Sequence, residues 1–207
     1  MPIFNPLGRW HDGDYALGVS RLRTDEQQTF RTQSSEIRDV FGRWLTAACA
    51  AGVRFVVLEG LMRSGKSCLT EQPFALGMSQ SVNIELDGFL RKPVNPDTKY
   101  MDAIDVDAAS ARIIEACRTA PLVIVEGPMA WPIVQRVLQE EIPSDEVRRV
   151  YLKRMSSNYP DRWPDGEFLY EYEPPGVYFQ SISRYHATER PWLLADVVFE
   201  RIGRDEE

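Results

Sequence analysis

Lysine is scarce in this chain: 4 of its 207 residues, against 20 arginines. Histidine occurs twice, as His11 and His186, and cysteine three times, as Cys49, Cys68 and Cys117. An odd number of widely spaced cysteines in apolar stretches argues against a disulfide framework or a zinc site and predicts buried thiols. The histidines lie far apart with no Cys or acid ligand spacing around them, so surface or cap positions are expected rather than a metal. A net positive charge is missing as well. At a formal −7 and a pI near 5.0, the chain lacks the clustered cations that hold a phosphate backbone, and nucleic acid is not expected as a partner. No apolar run approaches the roughly 20 residues of a spanning helix, and the N-terminus has no basic segment followed by an apolar core. The expected location is the cytoplasm, away from membranes.

What is there is a 43% hydrophobic composition, enough for one domain with a single large core, and one dense motif. "VVLEGLMRSGKSCLT" contains Gly60-x-x-x-x-Gly65-Lys66-Ser67, the spacing of a phosphate-binding loop, and the apolar residues 55–58 supply the strand this motif requires. Gly60 and Gly65 permit the backbone that turns successive N–H groups into an anion-binding nest, and a helix beginning near Lys66 adds its positive end. Lys66 can reach the β- and γ-phosphates of a nucleotide, and the Ser67 hydroxyl can ligate Mg²⁺. The residues expected to line ATP are Gly60, Arg63, Ser64, Gly65, Lys66, Ser67 and Cys68. The bland alternative is a Gly-rich turn opening an ordinary helix. For Cys68 the alternatives are a modifiable thiol beside the loop and a packed helix residue, the second being favoured.

Along the chain, residues 1–34 show no sustained periodicity and read as an irregular arm. From Ser35, the residues Ile37, Val40, Phe41, Trp44, Leu45 and Ala48 follow helical spacing toward a cap at Gly52. Pro73 limits the helix after the loop to about two turns, unless the chain kinks there and continues. Val82, Ile84 and Leu86 alternate with polar residues and predict a strand that presents Asp87 at its end. A long loop through Pro93 and Pro96 comes next, then helical spacing from Val106 to Cys117. Residues 121–125 read as a strand buried on both faces and residues 133–138 as helix. Residues 147–152 and 195–202 supply two more strands, with a helix at residues 176–188 between them. Strands alternating with helices predict an α/β fold with a parallel sheet in three layers.

In such sheets ligands bind beyond the carboxyl ends of the strands. Glu126 ends the apolar run in "PLVIVEGPMAW", where an acid can orient Mg²⁺ or its bound water; a capping or solvated carboxylate is the alternative. Asp87 in "NIELDGFLRKP" can accept the proton of a substrate hydroxyl, or be an ordinary Asp-Gly turn residue. Glu85 shares its strand face, so the two acids can exchange roles.

The loop Gly60–Ser67, the Asp87-x-Phe89 segment running into "RKP", and the Glu126-Gly127 pair occur in the order seen in one known group. On these residues, and on a closing "ADVVFERI" strand, residues 54–202 resemble the uridine kinase-like nucleoside kinases, nicotinamide riboside kinases included, of the P-loop kinase superfamily. The resemblance implies a three-layer P-loop NTPase fold with a five-stranded parallel sheet of order 2-3-1-4-5 flanked by helices. It implies ATP and Mg²⁺ as cosubstrates, Asp87 as general base, and γ-phosphoryl transfer to a hydroxyl of a nucleoside-like small molecule. It also implies an arginine-bearing lid at about residues 153–168, with Lys153, Arg154 and Arg162 in that region and Arg154 as its catalytic cation. An exposed loop with solvated charges is the alternative to the lid.

Two further functions stay open at this point: phosphoryl transfer to a sugar-nucleotide, an antibiotic or a protein, and NTP sensing by a non-catalytic binding protein. A homo-oligomer is left open. Among the aromatics after residue 152, namely Tyr159, Trp163, Tyr170, Tyr172 and Tyr178, packing is the expected role for most.

Overall fold

The computed structural model describes residues 27–71, 80–91, 95, 97–159, 162–166 and 176–203. The apolar run before the phosphate-loop motif is β2 (Phe55–Glu59), buried along its whole length. Such a strand has no polar face and must sit inside a sheet covered on both sides. It pairs in parallel with β4 (Val123–Glu126) on one side and β5 (Val147–Met155) on the other. β3 (Val82–Glu85) lies beyond β4, and β6 (Val197–Ile202) beyond β5.

The sheet is not the five-stranded one of order 2-3-1-4-5 expected from the sequence. It has six strands, ordered β1-β6-β5-β2-β4-β3 and all parallel. The added strand, β1 (Gln28–Gln33), comes from the segment read as an irregular arm and pairs with β6 from Gln28↔Val197 to Gln33↔Ile202. Its sequence, QTFRTQ, holds one apolar residue and therefore no alternation to read. What fixes it is its neighbour: Phe30 stacks on Phe199 at 5.2 Å, and Arg31 pairs with Glu200 at 2.7 Å. Residues 1–26 of the arm lie outside the described residues.

Helices cover both faces. On one face α1 (Ile37–Ala50) buries Ile37, Phe41 and Leu45 against Val56, Leu58, Val150, Leu152, Val197 and Phe199. Gly52 then turns left-handed at φ +95 just past the C-cap, Ala51. The short α2 (Lys66–Thr70) adds Leu69 to this layer. On the other face α4 (Val106–Thr119), α5 (Ala130–Glu141) and α6 (Val177–Glu189) pack on Phe55, Val57, Ile84, Val123, Val125 and Val147. Between β3 and α4 the expected long loop contains α3 (Tyr100–Ala103) and a bridge of Leu90 to Ile104. A last short helix, α7 (Pro191–Leu194), precedes β6. Because period-2 geometry sends alternate side chains to opposite faces, the α1–α2 side also receives Glu85, Glu126, Arg154 and Arg201. The α5–α6 side receives Glu59, Arg149, Tyr151, Lys153 and Glu200.

Other expectations change here. β3 stops at Glu85, and Asp87 belongs to a 3-10 turn, Leu86–Phe89, rather than to the strand end. Lys153 and Arg154 are strand residues of β5, since pairing with β6 continues through Met155↔Ile202. His186 is fully buried, not at the surface, and its Nδ1 lies 2.9 Å from the Tyr151 hydroxyl. Cys68 is exposed, and Cys49 and Cys117 are half-buried, so none of the thiols is the fully buried group expected. Among the later aromatics, Trp163 packs edge-on against Tyr151 and Trp192, Tyr178 is buried, and Tyr159 is 65% exposed. Tyr170 and Tyr172 lie outside the described residues, as does Pro73.

Candidate active site

The phosphate-loop motif folds as a tight turn between the carboxyl end of β2 and the start of α2. Gly60 is required by crowding: a Cβ there would lie 2.6 Å from the Leu152 carbonyl oxygen of β5. Arg63 at φ 61 and Gly65 at φ 99 carry the left-handed backbone that curls the loop, a conformation uncommon for an arginine. Inside the curl the Ser64 Oγ is buried with no hydrogen-bond partner among the described residues. Buried hydroxyls are normally paired, and this one is not, although it lies 2.9 Å from where a Cβ on Gly60 would stand.

Lys66 turns back over the loop, its Nζ donating to the carbonyls of Gly60 at 2.9 Å and Leu61 at 3.0 Å. Burial lowers its pKa to about 8, against the opposing pull of Glu126, Asp87 and Glu59 in that order. All three carboxylates therefore act on one ammonium. Glu126, buried at the tip of β4, lies with Oε2 3.4 Å from the Ser67 Oγ and accepts from the Thr70 Oγ1 at 3.2 Å through Oε1. Its pKa is pushed up to about 7, first by burial and then by the charge of Glu85, its in-register neighbour on β3. Asp87 is exposed in its 3-10 turn, and its Oδ1 accepts from the buried Tyr100 hydroxyl at 2.8 Å.

The structure thus gathers Lys66, Ser67, Asp87 and Glu126 at the carboxyl ends of β2, β3 and β4. Arg63, in the loop, and Cys68, in α2, are exposed. Arg154 is bound elsewhere: its Nη2 donates to Asp165 at 2.6 Å. Its in-register neighbour on β6 is Arg201, and it is Arg201 that touches the loop, its guanidinium 3.3 Å from where a Cβ on Gly65 would stand.

Sequence reading missed the polar cluster on the opposite face of the same strand tips. Glu59, buried, accepts from the Trp131 backbone N–H at 3.1 Å and the Tyr185 hydroxyl at 2.8 Å, and pairs with the buried Arg149 at 3.4 Å. Arg149 also lies over the Trp131 ring at 4.1 Å. Burial raises the Glu59 pKa, and the Arg149 charge opposes it. For His186, burial and then the Lys66 charge lower the pKa to about 3. The signal for Glu59 was present: like Glu126, it is an acid ending an apolar run. Tyr100 and His186 carried none.

Among the described residues no three His, Cys, Asp or Glu side chains form a metal-binding group, and no helix is long and apolar enough to cross a membrane. No protein-family model matches the chain, and no curated protein does. Among solved structures, one described as "Structure of a Possible Uridine Kinase from Bacillus stearothermophilus" superposes with a TM-score of 0.50 at 18% identity. The match covers 80% of this chain and 98% of that one. At that identity the likeness is one of architecture, and what it shows is a shared three-layer α/β fold.

Proposed function

We propose that this chain is an ATP-dependent kinase that transfers the γ-phosphoryl group to a hydroxyl of a small, nucleoside-like acceptor. The observation that carries the reading is the convergence of Lys66, the Ser67–Glu126 contact and an exposed Asp87 on the mouth of one phosphate-type loop.

The residues fit the groups this chemistry needs. The left-handed positions at Arg63 and Gly65, with the partnerless Ser64 hydroxyl between them, suit a phosphate chain, as a nest of backbone N–H groups does generally. Ser67 and Glu126 form an all-oxygen pair suited to Mg²⁺, a hard cation that takes few protein ligands and relies on substrate phosphates for the rest. Bound there, Mg²⁺ supplies positive charge beside the transferring group. Lys66, released from the Gly60 and Leu61 carbonyls, places a second cation at the same point. Asp87 accepts the proton of the acceptor hydroxyl as that oxygen attacks.

The test is a panel of nucleosides, nucleotides and sugars incubated with ATP and Mg²⁺, read by mass. A nucleoside made heavier by one phosphoryl group is the expected product. Tight nucleotide binding with a silent panel overturns the proposal. Lys66→Ala is expected to abolish turnover. Asp87→Asn is expected to keep ATP binding while removing most transfer, about a hundredfold or more, and full activity in that variant would move the base elsewhere.

A further inference from the structure

The acceptor side of the crevice contains a tyrosine that the loop chemistry does not use. Tyr100 opens α3, its side chain is fully buried, and its hydroxyl donates to the Asp87 Oδ1 at 2.8 Å. A buried tyrosine hydroxyl needs a partner, and here the partner is the exposed carboxylate of Asp87. The ring is held from two sides. It packs edge-on against Tyr178 at 5.4 Å, and the Tyr100 backbone N–H donates to the Ser181 Oγ at 2.9 Å, which itself donates to the Tyr178 carbonyl at 2.7 Å. Room for the hydroxyl comes from Gly127: a Cβ at that position would stand 3.4 Å from the Tyr100 oxygen and 3.1 Å from Leu86. Burial and then the Asp87 charge push the Tyr100 pKa far up, so the hydroxyl stays a donor.

We infer that Tyr100 is a positioning residue for Asp87: with its backbone N–H anchored through Ser181 to α6, its hydroxyl fixes one carboxylate oxygen and presents the other, Oδ2, to the acceptor hydroxyl. This rests on the kinase reading with Asp87 as base. A 3-10 turn alone leaves an exposed aspartate free to sample rotamers. The hydrogen bond removes that freedom before the acceptor arrives, which is where orientation contributes to rate.

The experiment is a kinetic cycle on the full chain with the best acceptor from the panel. Tyr100→Phe is expected to lower kcat by about tenfold or more, while the KM for ATP and the melting temperature stay near those of the unaltered chain. In an Asp87→Asn background the same substitution is expected to change nothing further, because the group it orients is gone. Ser181→Ala, which loosens the anchor and leaves the hydroxyl, is expected to give a smaller fall in kcat of the same kind. Unaltered kcat in Tyr100→Phe, or losses that multiply in the double variant, overturn the assignment while leaving the kinase reading intact. An unaltered chain that phosphorylates nothing overturns both.

Discussion

Glu59 and Glu126 end adjacent strands, offset by one residue in register since Leu58 is the partner of Glu126. That offset sends them to opposite faces. Glu126 meets the loop serine, whereas Glu59 meets a buried arginine, and the consequences differ accordingly. Removing one member of a buried ion pair leaves the other charge without compensation, which typically destabilises by about 3–5 kcal/mol. Glu59→Ala is therefore expected to lower the unfolding free energy by about that amount in a urea titration, while Glu59→Gln, which keeps hydrogen-bonding atoms, loses less. An unchanged midpoint for Glu59→Ala would show that Arg149 finds its compensation elsewhere. His186 gives a pH signature. It is neutral in the folded chain with a pKa near 3, against 6.5 as its ordinary value, so the unfolded chain binds the extra proton between those limits. Its contribution to stability is complete above about pH 6.5 and declines as pH falls toward 3, by at most about 1.4 kcal/mol per pH unit. Comparing acid titrations of the unaltered chain and His186→Gln checks this: the variant is expected to have the flatter slope between pH 6 and 4, and identical slopes would refute it.

At the scale of elements, what could be read from sequence tracks how self-contained each signal is. β2 and β4 are buried on both faces and so are written as continuous apolar runs, and α1 carries its stripe of Ile37, Phe41 and Leu45 within itself. The Gly60–Ser67 motif, whose spacing fits a phosphate-binding loop, and the acid at the tip of β4 are local patterns of the same sort. β1 carries no such pattern, because its reason to be a strand sits on β6, 169 residues away at the Arg31–Glu200 pair. Glu59 likewise needs Arg149 and Tyr185 to show what it does, and the Tyr100 contact of Asp87 is equally invisible in sequence. β1 can be tested through Phe30, whose ring stacks on Phe199 in an aromatic group with Phe41 and Trp44. Phe30→Ala is expected to destabilise by about 2 kcal/mol, below the range for a fully buried phenylalanine because Phe30 is half-buried. Hydrogen exchange should speed up along β6 in the same variant, and protection that persists there would mean that β1 is not holding it.

Across the whole molecule the sheet separates two kinds of polar chemistry. Glu85, Glu126 and Arg201 project to the α1–α2 side beside Ser67 and Gly65, and the sealed Glu59–Arg149–Tyr185 and Tyr151–His186 contacts lie on the α5–α6 side. A ligand that binds only the folded chain stabilises it by mass action, about 2.7 kcal/mol at a concentration a hundred times its dissociation constant. ATP with Mg²⁺ is accordingly expected to raise the melting temperature of the unaltered chain by several degrees and to do little for Lys66→Ala. Equal shifts in the two would mean that the nucleotide is held without the loop.

The pairing of β1 with β6 has a bearing on biosynthesis. Residues 28–33 leave the ribosome long before residues 197–202 exist, and a parallel edge cannot close on a neighbour not yet made. Until translation reaches β6, the QTFRTQ segment has nothing to dock against, and the ring of Phe30 waits in water. Assembly of this edge is thus deferred until residues 197–202 have been made, and chains stalled before Val197 should be cleaved within residues 28–33 by a protease that spares the protein with β6 in place.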